Sequence, residues 1–242
     1  MRQRKLHALF GSLAIALAAA GCNAQPGGHD AKNATPAPAV TAAAPEVSGK
    51  LEGGLRIVTL DPAAPAPVVR VYRGDYVQMA LTSGAPFTVA IDSLKLTWTW
   101  PVPEGGKPYL KMTESGRFPF QAGSLAGTLE VIDFQAAAYR EVGAAEAAQV
   151  IANLKPFVLD VRTPGEFAEG HLEGATLLPI QEMQQRLGEL ASHKHEPVFI
   201  YCHSGNRSTV AAKLLVDAGF DQVINLRKGI NDWKAAGLPL VR

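Results

Sequence analysis

The stretch VFIYCHSGNRS, residues 198–208, places a single cysteine between an apolar segment and a polar turn. The four apolar residues at its start predict a buried β-strand. The turn contains Gly205, and an amphipathic pattern over residues 208–218 predicts a helix directly after it. Cys202 is therefore predicted to lie where a strand ends and a helix begins. Because open α/β sheets bind ligands at the carboxyl ends of their strands, this cysteine marks a candidate site.

The residues around Cys202 favour its thiolate form, which is the nucleophilic form of cysteine. Backbone N–H groups of the turn can converge on the sulfur, and the N-terminal end of the predicted helix carries positive partial charge. Arg207 adds a full positive charge. The pattern predicts a nucleophile. The alternative is a buried cysteine that serves only packing, since cysteine is among the most often buried residue types.

The C-terminal half of the chain alternates apolar runs with helical patterns. Runs typical of buried strands occupy residues 157–161, 175–178, 198–201 and 222–225. Helical patterns occupy residues 144–153, 181–190, 208–218 and 230–235. Alternation of this kind predicts a parallel sheet flanked by helices.

Three segments of this half resemble the rhodanese family of sulfurtransferases. They read VLDVRTPGEFAEGHLEGA at residues 158–175, CHSGNRS at residues 202–208 and LRKGINDWKAAGLP at residues 226–239. The third segment departs from the family at Lys228, where a glycine is usual. The resemblance implies an α/β rhodanese domain over residues 140–242.

The resemblance also implies a chemistry for Cys202. This residue would attack the outer sulfur of a small anionic donor such as thiosulfate, carry the sulfur as a persulfide, and pass it to a thiol or cyanide-like acceptor. Arg207 would attract the donor, the loop amides would stabilise the persulfide, and no cofactor is implied. We interpret His203 as a solvated loop histidine rather than as a catalytic residue. The implied binding loop comprises His203, Ser204, Gly205, Asn206, Arg207 and Ser208.

Two other functions share this fold. Phosphatases and arsenate-type reductases related to rhodaneses have five residues between cysteine and arginine, whereas four residues separate Cys202 from Arg207 here. The shorter loop suits a single sulfur atom better than a tetrahedral phosphate. A non-catalytic or redox interaction module would use the rhodanese surface only for binding. The presence of both Cys202 and Arg207 favours catalysis over that alternative.

A second polar set precedes the cysteine loop and comprises Asp160, Arg162, Glu166 and His171. In the family, the corresponding residues mostly brace loops near the active site through ion pairs and hydrogen bonds, which favours structural support over catalysis. A zinc site is disfavoured because the six histidines are scattered and no cysteine pair accompanies them.

The chain begins with MRQRK, followed by an apolar run over residues 9–20 and by the sequence AAGC, which ends at Cys22. This pattern predicts an export signal and resembles the lipobox of bacterial lipoproteins. It implies a signal peptide over residues 1–22, a lipid on Cys22, and a protein anchored in the envelope facing the periplasm, with the lipid as its membrane contact. Asn23 favours the outer over the inner membrane. Simple cleavage, giving a soluble periplasmic or secreted protein, is the alternative.

Residues 23–46 are rich in alanine and proline and predict a disordered tether. Residues 47–135 have a different sequence pattern, in which apolar and polar residues alternate between turns. This pattern predicts an all-β sandwich. The predicted strands of this sandwich are residues 55–60, 68–72, 76–82, 87–91 and 128–132.

Within this segment, the sequences VYRGDYV at residues 71–77, GRFPF at 116–120 and GTLEV at 127–131 resemble the cupredoxin fold. Blue copper needs two histidines and a cysteine, but residues 47–139 contain neither type, and Gln121 stands where the copper cysteine is expected. We expect a metal-free module that spaces the chain or binds an envelope protein partner. The formal net charge of +1 gives no support for nucleic-acid binding.

Overall fold

A computed structural model describes residues 45–242 of the chain. These residues belong to one compact unit. The predicted signal peptide, the lipidation of Cys22 and most of the predicted tether lie outside the described residues. Within the described part, no helix combines the length and the apolar character that crossing a membrane requires.

Residues 45–138, called the β region below, form two sheets. Their strands are β1 (Lys50–Glu52), β2 (Leu55–Leu60), β3 (Val68–Tyr72), β4 (Tyr76–Leu81), β5 (Phe87–Ile91), β6 (Leu96–Trp100), β7 (Leu110–Lys111), β8 (Gly116–Ala122) and β9 (Leu125–Ile132). One sheet has the order β1-β2-β4-β7, and the other has the order β3-β9-β8-β5-β6.

The two sheets share one hydrophobic core. Val77 and Met79 from one sheet and Val89 and Leu129 from the other have no exposed surface. Val77 and Met79 stand two positions apart on β4, which follows the alternation of side chains across a sheet from which this strand was predicted. Four of the predicted segments coincide with strands to within one residue, and the fifth is the second half of β9. Membership of the cupredoxin class stays a prediction.

Residues 139–242, called the α/β region below, form a five-stranded sheet flanked by helices. Its strands are β10 (Tyr139–Val142), β11 (Phe157–Asp160), β12 (Thr176–Leu177), β13 (Val198–Tyr201) and β14 (Val223–Leu226), and its helices are α1 (Ala144–Leu154), α2 (Pro164–Glu169), α3 (Ile180–Arg186), α4 (Asn206–Asp217) and α5 (Gly229–Ala235). The sheet order is β10-β14-β13-β11-β12, with every pair parallel.

The predicted parallel α/β architecture is confirmed, with three local differences, of which one is the edge strand β10, which was not predicted. The helix predicted over residues 181–190 ends at Arg186, and a 3-10 helix over Leu187–His193 follows it. Gly188 lies in this stretch and lowers its α-helix propensity. Helix α2 was not predicted because its six residues are too few to show an amphipathic period.

The β region packs directly against the α/β region. The Gln184 side chain accepts a hydrogen bond from the Gly53 N–H at 3.1 Å and donates one to the Leu51 carbonyl at 2.8 Å. Gly74 lies so close to α4 that a Cβ there would be 3.0 Å from the Asn206 carbonyl oxygen. The start of α4 is therefore covered by the turn between β3 and β4.

Candidate active site

Cys202 follows the last residue of β13 directly and has no exposed surface. The chain then turns through Gly205, whose φ of +90° is a left-handed conformation, before α4 begins at Asn206. A Cβ on Gly205 would lie 1.9 Å from the Arg227 backbone oxygen. Glycine is therefore required both by the backbone angle and by this close approach.

The cysteine sulfur receives polar contacts from the turn and from the first residues of α4. The Gly205 N–H donates to Cys202 Sγ at 3.2 Å, and the Ser208 hydroxyl lies 3.5 Å from the same sulfur. The first turn of α4 contains no acidic residue, so its positive partial charge is not offset there. This environment stabilises negative charge on the sulfur.

Residues 226–239, the third segment that resembles rhodaneses, pack against the cysteine loop and support it. The Ile230 N–H donates to the Cys202 carbonyl at 2.8 Å, and a Cβ on Gly229 would lie 2.3 Å from that carbonyl oxygen. Gly229 has a φ of +60°, whereas Lys228 has a φ of −109°. The lysine at position 228 is therefore compatible with the loop, because the conformation that demands glycine belongs to the next residue.

Arg207 makes a two-pronged ion pair with Glu166, with N–O distances of 2.7 and 2.6 Å. Glu166 is also part of a capping box with Thr163 at the start of α2. Hydrogen bonds from Arg207, partly opposed by burial, lower the pKa of Glu166 to about 2. Arg207 is thus held in place, but its positive charge is largely compensated. His203 is 52% exposed and lies 3.7 Å from Glu166.

The remaining members of the predicted supporting set make their contacts elsewhere. Arg162 and Asp160 form a buried ion pair at 2.6 Å, and Arg162 also donates to the Gly170 carbonyl at 2.9 Å. The His171 ring stacks on Phe167 at 3.7 Å between ring centroids. These contacts tie β11 to the segment after α2. Of the four predicted supporting residues, Glu166 has the polar contact with the cysteine loop.

Two residues of the β region also contact this loop, and the sequence did not reveal them. Lys111 donates to the Ser204 hydroxyl at 3.2 Å, and the Asn206 side chain donates to the Met112 carbonyl at 3.1 Å. No sequence signal could have indicated these pairs, because their partners stand 93 and 94 positions apart and belong to separate motifs. Within the described residues, no group of three or more acidic, histidine or cysteine side chains is arranged to hold a metal.

The fold and the loop define a parallel α/β domain with a single buried cysteine at the end of its central strand. A family model described as "Rhodanese-like domain" matches residues 143–236. The chain is 38% identical over 102 residues to a "Sulfurtransferase" of Allochromatium vinosum, which covers 42% of this chain and 94% of that protein. The chain belongs to the rhodanese family.

Two further relatives are similar to part of the chain. An "Uncharacterized protein YibN" of Escherichia coli strain K12 is 38% identical over 98 residues, covering 40% of this chain and 68% of that protein. A "Thiosulfate sulfurtransferase GlpE" of Coxiella burnetii is 32% identical over 97 residues, covering 40% of this chain and 89% of that protein. The predicted rhodanese domain is therefore confirmed over residues 143–236.

Proposed function

We propose that this protein is a sulfurtransferase that carries sulfane sulfur on Cys202. Membership of the rhodanese family and relatives named as sulfurtransferases support a role in sulfur transfer. The observation that carries the finer proposal is the contact between the Gly205 N–H and the Cys202 sulfur at 3.2 Å. That N–H lies where it can stabilise a sulfur anion, and α4 begins with the next residue.

The first half-reaction loads the cysteine. The Cys202 thiolate attacks the outer sulfur of thiosulfate, so a new sulfur–sulfur bond forms while the donor's own sulfur–sulfur bond breaks. The bonding electron pair leaves with sulfite. No net oxidant or reductant is needed, and the negative charge moves from the thiolate to the terminal sulfur of the persulfide.

The second half-reaction removes the sulfur from the Cys202 persulfide. A thiophilic acceptor, such as cyanide or a thiolate, attacks the terminal sulfur, and the persulfide bond breaks with its electron pair returning to Cys202. The Gly205 N–H contacts the Cys202 sulfur, which carries negative charge at the start of the first step and at the end of the second. A cycle that starts and ends with the thiolate form of Cys202 requires no separate general base.

The location proposed for this activity is the cell envelope. Support comes from the leader pattern, in which AAGC ends at Cys22 after a basic start and an apolar run. Lipidation at Cys22 would anchor the protein facing the periplasm, and simple cleavage would release it there. Mass analysis of the mature N-terminal peptide distinguishes a lipidated Cys22 from a cleaved, unmodified terminus.

The catalytic proposal is tested by measuring thiocyanate formation from thiosulfate and cyanide. The full chain contains two cysteines, so Cys22→Ser is the matched control for Cys202→Ser. We expect turnover with the wild-type protein and with Cys22→Ser, and none with Cys202→Ser. Turnover that persists in Cys202→Ser contradicts the proposal. Hydrolysis of an aryl phosphate at Cys202 without sulfur transfer would favour the phosphatase alternative instead.

A further inference from the structure

The β region covers the cysteine loop at several points. Gly74 lies against the first turn of α4, Met112 accepts a hydrogen bond from Asn206, and Lys111 donates to Ser204. Cys202 itself has no exposed surface. The β region therefore covers part of the loop that holds the buried Cys202.

The charges around the loop are unequally compensated. Arg207 is paired through both nitrogens with Glu166. Lys111 is half-buried and, among the residues that the structure describes, has no carboxylate within 4.0 Å. Lys111, at the edge of the β1-β2-β4-β7 sheet, therefore offers a half-buried ammonium group to an anion beside the loop, whereas the ammonium group of Lys228 belongs to an exposed residue.

A cavity of about 290 Å³ adjoins Arg207 and lies between the two regions. The β region contributes Tyr76 and Tyr109 to its wall, and α3 contributes Ile180. The two tyrosine rings pack edge to face at 4.7 Å and also line a second cavity, of about 550 Å³, which reaches Lys111. Tyr76 and Tyr109 thus separate a space beside Arg207 from a space beside Lys111.

The Tyr76 hydroxyl keeps its proton in this setting. Burial and, after it, the negative charge of Cys202 raise the pKa of Tyr76 to about 12. At neutral pH the hydroxyl is therefore available to donate a hydrogen bond to an anion.

From this geometry we infer that Tyr76 and Lys111 complete the donor site of Cys202 and select a small dianionic sulfur donor. The inference rests on the proposed sulfur transfer and names residues outside the rhodanese segment as its specificity determinants. Lys111 supplies the uncompensated positive charge and Tyr76 supplies a hydroxyl donor. A doubly charged anion gains more from Lys111 than a singly charged one of similar size, because the Coulomb energy scales with the charge.

Binding is measured by calorimetry with thiosulfate as the probe, on the full chain carrying Cys202→Ser so that no chemistry follows. We expect Lys111→Met to weaken thiosulfate binding roughly five- to tenfold and Tyr76→Phe to weaken it a few-fold. Lys111→Arg should retain most of the affinity. Lys50→Met is the matched control, since Lys50 is exposed on β1 at the opposite edge of the same sheet, and it should leave binding unchanged.

A second measurement uses turnover with Cys202 intact. Lys111→Met should raise the KM for thiosulfate more than the KM for methanethiosulfonate, a singly charged donor, with kcat little changed. Equal thiosulfate affinities with and without Lys111→Met, both in the Cys202→Ser chain, overturn this inference. Sulfur transfer by the wild-type protein would then still support the proposed function. Weaker binding in Lys111→Met with no turnover in the wild type supports the binding site and contradicts the proposed function alone.

Discussion

Glu166 binds both terminal nitrogens of Arg207, at 2.6 and 2.7 Å, while also capping the helix in which it lies. One carboxylate therefore joins the segment after β11 to the first turn of α4, beside the cysteine loop. This arrangement fixes the position of Arg207 and lowers its ability to attract an anion on its own. We therefore infer that a second cation, Lys111, contributes to binding the donor.

The ion pair predicts a pH-dependent contribution to stability. The pKa of Glu166 is lowered from 4.5 to about 2, so its stabilisation is complete above about pH 5 and is lost as the pH falls from about 4.5 to about 2. Because the carboxylate is partly exposed, solvent screens the pair, and we expect Glu166→Gln to remove about 1 kcal/mol at neutral pH. Urea unfolding should show this difference vanishing near pH 2.

Glu169→Gln is the matched control, since Glu169 is exposed on the same helix. It should change the unfolding free energy by less than about 0.5 kcal/mol. A Glu166→Gln effect that is unchanged near pH 2 would show that the ion pair is not its source.

We expect an alanine to lower stability much more at Gly205, in the turn after Cys202, than at Gly219, which follows α4. Gly205→Ala places a Cβ 1.9 Å from the Arg227 backbone oxygen, so the loop must shift and sulfur transfer should be lost. Gly219→Ala has a similar φ of +86° but no atom within 4 Å of the new Cβ, so it isolates the backbone cost of about 1 kcal/mol. Urea unfolding of both variants measures the difference, and equal losses of stability would contradict the crowding argument.

Replacing one partner of the buried pair of Asp160 and Arg162 should lower the free energy of unfolding more than replacing both. Asp160→Asn leaves the Arg162 charge buried without its partner and should cost about 3–5 kcal/mol of unfolding free energy. The double variant Asp160→Leu with Arg162→Met should be less destabilised than Asp160→Asn alone. Glu146→Gln, which breaks an exposed pair with Arg140, should cost less than about 1 kcal/mol. A double variant as unstable as Asp160→Asn would contradict this reading.

The fold was predictable wherever a pattern repeats within one element. Strands β2, β3 and β5 coincide with predicted segments because their side chains alternate between core and solvent. The two-residue strand β7 carries too few positions to show a period and was not predicted. Its existence depends on pairing with a strand that is distant in the sequence, as in the pairing of Tyr76 with Lys111.

The candidate site was predictable in its loop and not in its surroundings. The sequence indicated Cys202, Gly205 and Arg207 because they stand together in one motif. It did not indicate that Glu166 pairs with Arg207, since many carboxylates in the region could have done so. Lys111 could not be predicted either, because its contact with Ser204 depends on how the β region packs against the α/β region.

Sulfur transfer by Cys202 is tested by intact mass measurement of the full chain carrying Cys22→Ser after exposure to thiosulfate, followed by peptide mapping. We expect a gain of one sulfur atom on the peptide that contains Cys202. Cyanide should remove this sulfur, and the gain should be missing when Cys202 is also replaced by serine. A protein that gains no sulfur from thiosulfate or from other sulfane donors would show that Cys202 does not carry transferable sulfur.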